Sequence, residues 1–161
     1  MAAGSTYTPI ATTTLGSAAA SYTFSSIPST YTDLVLVVAG TAGTDETIGV
    51  RFNGDTGNNY SETAISGDGS SATSFRETNL TRAHVGTIGS TQSVSIINIM
   101  NYSNTTTNKT VLGRGNYSGA RVRTWVALWR NTAAINTVYV DAIGATFAAG
   151  STFTLYGIQA A

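Results

Sequence analysis

Apolar and polar residues alternate along this chain in short runs, broken by Gly, Asn, Ser and Thr, and no stretch carries the spacing of a helix of two turns. The run Leu34-Val35-Leu36-Val37-Val38 is apolar at every position, which predicts a strand covered on both faces. Pro28, just before it, cannot donate to a sheet ladder, so it marks the corner between this strand and the short Tyr22/Phe24 alternation. Ile10 to Leu15 is β-branched and predicts an opening strand. Ile48, Val50 and Phe52 alternate with Gly49, Arg51 and Asn53, a strand with one wet face. Tyr60 to Ile65 fits either a helical turn or a short strand. Residues 66–84, rich in Gly, Ser and charge, read as a long loop with room for one short edge strand.

Later strands are predicted at Val85–Ile88, Val94–Met100, Thr110–Tyr117, Arg121–Arg130, Thr137–Asp141 and Thr152–Ile158. Val94 and Ile96 share one face of their strand, Ile97 and Ile99 the other. Gly113 and Gly115 mark a bulge or a close approach of backbone. In Arg121–Arg130, Val122, Thr124, Val126 and Leu128 fall on one side, and Arg121, Arg123, Trp125, Ala127 and Trp129 on the other. Both sides are apolar, and two tryptophans cost too much to leave in water. A lone sandwich hides one face only, so the tryptophan face is expected to meet a loop or another subunit. The expected fold is all-β: an antiparallel β-sandwich of jelly-roll type with eight or nine strands. Residues 1–9 are expected to form an N-terminal arm, and 10–161 a single domain.

Composition narrows the function. At 161 residues the chain can bury a real core. Charged residues are 10%, against roughly 25% in ordinary soluble domains. The expected surface is neutral Ser, Thr and Asn, with little self-repulsion to oppose assembly. Net charge is zero, Lys109 is the sole lysine, and the arginines are scattered, which argues against nucleic acid as a partner. No stretch approaches the ~20 apolar residues of a membrane span, and Met1–Ser5 do not resemble a secretory leader.

Candidate chemistry is thin. There is no cysteine, and His84 is the single histidine, so neither a zinc site nor a Ser-His-Asp triad is expected. Asp55, in the turn-rich segment 54–59, fits an Asx turn better than a calcium loop. Glu62, Asp68 and Glu77 lie in glycine-rich surroundings that would hold a catalytic pair loosely. No enzyme signature and no cofactor site is read from the sequence.

Three segments together resemble a recurrent pattern of small virion proteins of tailed bacteriophages. They are Phe24-x-x-Ile27-Pro28-x-x-Tyr31-x-Asp33-Leu34-Val35-Leu36, then Arg51-Phe52-Asn53-Gly54-Asp55 with Asn59-Tyr60, and the terminal Gly150–Gly157. The resemblance spans roughly Tyr22 to Ile158. It implies a jelly-roll virion component, and most closely a capsid decoration (cement) protein that binds between major capsid subunits and stabilises the assembled shell. The implied partners are the major capsid protein and further copies of the chain, in a homo-oligomer expected to be a trimer. The implied location is the virion, reached from the host cytoplasm without export. The candidate interface residues are Trp125, Trp129, Arg123, Tyr60 and Tyr117. The alternative is a tail or fibre module binding host-surface glycan, with Tyr60, Tyr117 and Trp125 as stacking platforms and the loops 54–60 and 67–84 as hydrogen-bonding partners.

Overall fold

A computed structural model describes residues 6–116 and 121–159. Among these residues twelve strands form, more than the eight or nine expected: β1 (Tyr7–Thr14), β2 (Ser21–Phe24), β3 (Asp33–Gly40), β4 (Glu46–Phe52), β5 (Tyr60–Gly67), β6 (Ala72–Leu80), β7 (Ala83–Ile88), β8 (Ser93–Ile99), β9 (Lys109–Asn116), β10 (Val122–Trp129), β11 (Val138–Ala142) and β12 (Thr152–Ile158). They build an antiparallel sandwich of jelly-roll type. One sheet has eight strands, ordered β1-β12-β3-β8-β9-β10-β5-β6, and the other has four, ordered β2-β11-β4-β7.

The core lies between the sheets. Leu34, Leu36 and Val38 of β3 face Phe24, Ile48, Val50, Val138 and Val140 of the small sheet, with Phe153 and Leu155 of β12 beside them. β3 lies third from one margin of the large sheet, between β12 and β8. Its outward residue Val35 is also buried, at 4% exposure. The register sets Val35 between Tyr156 and Asn98, whose side chains share that outer face.

Three expectations need correction. The segment 66–84 is mostly sheet: β6 runs nine residues and forms an open, largely exposed edge next to β5. Its polar composition hides a strand because neither face of most of it is covered. Of the two readings of Tyr60–Ile65 the strand holds and the helical turn falls: Tyr60 opens the eight-residue strand β5. The arm boundary at residue 9 also moves, because Tyr7, Thr8 and Pro9 already pair with Ile158, Gly157 and Tyr156.

Close approach of the two sheets depends on small residues at one seam. A Cβ on Gly113 would collide with the Val85 carbonyl, and one on Gly115 with Ser95 Oγ. Thr87 N–H donates to Ser95 Oγ at 2.9 Å, and the serine hydroxyl returns a bond to Thr87 O at 3.0 Å. β7, the edge of the small sheet, is thereby drawn against β9, and its residue His84 comes within reach of β5.

Candidate functional site: the outer face of the large sheet

The expected interface turns out to be interior. Trp125 and Trp129 are each 1% exposed and Tyr60 is 0%. Trp129 lies nearly parallel to Tyr60, with centroids 6.3 Å apart, and packs on Phe52 at 5.4 Å. Its indole N–H donates to Asp55 Oδ2 at 2.7 Å, so the polar edge of the ring is satisfied inside the fold. Tyr60 hydroxyl accepts from Phe52 N–H at 3.1 Å and donates to Asp55 O at 3.3 Å. Burial pushes the Tyr60 phenol up to about 12. Trp125 takes the space beside Gly113 and Ala64, its partners on the neighbouring strands. Arg123 lies over the rings of Trp125 and Phe75, at 5.5 and 5.3 Å. Tyr117 lies outside the described residues.

The face of β10 assigned to the core is the open one. Val122 is 63% exposed and Val126 52%, with Ile65 of β5 at 56% and Val94 of β8 at 43%. The pairing register continues this surface across the sheet. Val126 is opposite Leu112 and Thr63, Thr124 is opposite Arg114 and Ile65, and Ile96 is opposite Val37 and Arg114. An open groove of about 670 Å³ runs over Ile65, Val94, Ile96 and Val122. Its lining includes Gly67, where an absent side chain leaves room, and Arg114 and Asn116. Among the described residues no aromatic ring and no carboxylate lines it. Exposed β-branched residues gathered in one groove are a feature of docking surfaces, because scattered apolar side chains would not form a continuous dry patch.

Two polar sites lie elsewhere. Asp55 Oδ1 accepts Gly57 N–H at 2.8 Å, the Asx turn expected, and its carboxylate also takes Asn59 Nδ2 and the Trp129 indole. Burial would raise this carboxyl, but the bonds from Trp129, Asn59 and Gly57 outweigh it and hold it below its ordinary value.

At the other site, Glu62 of β5 is 3% exposed and receives His84 N–H at 2.8 Å and His84 Nδ1 at 2.9 Å. Glu77 of β6 approaches the same Nδ1 at 3.3 Å. The expectation that these carboxylates would be loosely held fails for Glu62, because it projects inward from a strand onto the free edge of β7. Burial disfavours the imidazolium, but Glu62 and Glu77 outweigh it and raise the His84 pKa. Asp68 stays half-buried in its own turn, bonded to Ser70 and Ser71 N–H. Nothing in the sequence spacing joins Glu62, Glu77 and His84, which lie on three strands.

No family model matches the chain, and no curated protein does. Among solved structures the chain is similar to exo-inulinase from Aspergillus awamori, at 13% identity and TM-score 0.42, over 94% of this chain and 29% of that one. It is also similar to the galectin LEC-6 of Caenorhabditis elegans, at 6% identity and TM-score 0.40, covering 92% and 96% of the two chains. A third similarity is to a mutant of the alginate lyase Aly36B in complex with an alginate tetrasaccharide, at 8% identity and TM-score 0.32, covering 81% and 72%. The chain spans under a third of the inulinase's length. None of these similarities bears on what this chain binds.

Proposed function

We propose that this chain is a structural virion subunit of the capsid decoration type, which docks the outer face of its large sheet onto the protein of the shell. The observation that carries the reading is the groove at Ile65, Val94, Ile96 and Val122, an apolar surface of a size and continuity suited to a protein partner. The low content of charged residues and the tailed-phage sequence pattern support it from a different direction.

Charge favours the shell protein over a second copy as occupant of this groove. Among the described residues its lining carries the Arg114 side chain and no carboxylate, so two copies meeting face to face would bring their Arg114 guanidinium groups together. A shell surface with an apolar ridge flanked by acidic residues would complement it. The glycan reading has less support, because Tyr60 and Trp125 are interior and no ring among the described residues lines the groove.

The test is co-sedimentation with capsid shells that lack the protein. Val122→Asp and Ile65→Asp should each weaken shell binding by about 2 kcal/mol, roughly thirtyfold, as expected for central interface positions. Unchanged binding by both variants would remove the groove from the interface. If the isolated chain is instead an oligomer that Val122→Asp dissolves, the groove joins copies of this chain.

A further inference from the structure

The strands β5, β6 and β7 bring Glu62, Glu77 and His84 to one point at the margin where the two sheets meet. We propose that these three side chains form a site for a divalent transition-metal ion of the zinc class, which clamps the β5–β6 edge of the large sheet to β7 of the small one. The proposal is independent of the docking face.

Geometry supports it first. His84 Nδ1 lies 2.9 Å from Glu62 Oε1 and 3.3 Å from Glu77 Oε2. Ligand atoms bound at roughly 2.0–2.2 Å lie about 3.0 Å apart when octahedral neighbours and about 3.4 Å apart when tetrahedral, so an ion fits between these atoms with little movement. Glu62 is already oriented by His84 N–H on its other oxygen, the kind of supporting bond that ligand carboxylates receive. Glu77 is half exposed and the His84 side chain 21% exposed, which leaves an entry path and open positions for water.

Charge balance supports it next. Two carboxylate side chains face one imidazole, a donor set with more acidic than basic groups. The nearby guanidinium of Arg82 is paired with Asp141. A divalent ion with neutral His84 would balance the two carboxylates.

Asp141 adds an independent observation. It is 7% exposed, and its Oδ1 has no hydrogen-bond partner among the described residues. Asp141 and His84 are the two partners of Gly49 across the small sheet, and Asp141 Oδ1 leans over Gly49, 2.6 Å from where a Cβ would be. The unsatisfied oxygen therefore lies over β4, the strand between β11 and the β7 of His84, on the side from which His84 pairs. One nitrogen and two carboxylate oxygens suit Zn2+ better than Ca2+, which takes six to eight oxygens.

The experiment is calorimetric titration of the full chain with ZnCl2 in weakly alkaline buffer, with CaCl2 as comparator and melting temperature as a second readout. The wild type should bind one Zn2+ with a rise in melting temperature and show no such response to Ca2+. Glu77→Gln, on an exposed edge strand where folding should be unaffected, and His84→Gln should each weaken Zn2+ at least about tenfold. Absence of saturable Zn2+ binding by the wild type would overturn the proposal. So would Zn2+ binding that either variant leaves intact, or Ca2+ binding as tight as Zn2+.

Discussion

The two faces of β10 have nearly the same hydrophobic content and opposite fates. Ala127 and Trp129 look inward and are closed off by the small sheet, and Trp125 is sealed on the same side next to Gly113. Val122 and Val126 look outward, and Val122 lines an open groove. The difference is not in the residues, since both sets would gain from leaving water. It lies in what stands opposite: four strands cover one side, and none of the described residues covers that part of the other. An apolar strand face thus becomes core or docking surface according to whether a second layer is present.

Substitutions on the two faces should separate these roles. Trp129→Ala removes a ring stacked on Tyr60 and leaves Asp55 without its indole donor, and it should cost about 3–5 kcal/mol of folding stability in urea unfolding. A loss under about 1 kcal/mol would show that Trp129 is not a core residue. Gly113→Ala tests the seam that brings the layers together. Its Cβ would meet the Val85 carbonyl, backbone that cannot swing aside, so about 1–3 kcal/mol should be lost.

Val122→Asp, on the open face, should leave unfolding unchanged to within about 0.5 kcal/mol while shell binding falls. A large fall in stability would mean that this face is covered within the chain itself. The smallest effect expected is one of pH. Asp55 has a depressed pKa in the folded chain, so the stability it contributes is complete above its unfolded value, near 3.8. That contribution is lost as pH falls through the lower folded value. The melting temperature of the wild type should therefore drop more steeply below about pH 4 than that of Asp55→Asn. Parallel curves would show that the carboxylate does not brace Trp129.

Much of the strand layout was legible because period-two alternation survives in β4, β10 and β12, and because Pro28 and the Gly/Asn turns punctuate the chain. The Asx turn at Asp55 and the close approach at Gly113 were legible for the same local reason. The edge strand β6 was not. Its sequence Ala-Thr-Ser-Phe-Arg-Glu-Thr-Asn-Leu is largely polar, because an exposed edge has little to bury. The candidate site was legible only as an excess of apolar surface on β10, with the wrong side assigned to it.

What the sequence by itself determined is an all-β chain with short strands, low charge and more apolar strand surface than one sandwich interior can hide. Local pattern suffices for that, since alternation and turn chemistry act over a few residues. Only the tertiary structure decided that Trp125, Trp129 and Tyr60 go inside while Val122, Val126 and Ile65 stay out. Only it decided that Glu62, Glu77 and His84 meet. Both outcomes depend on which strands become neighbours and which face the second sheet covers, and that choice is made by packing between residues far apart in the chain.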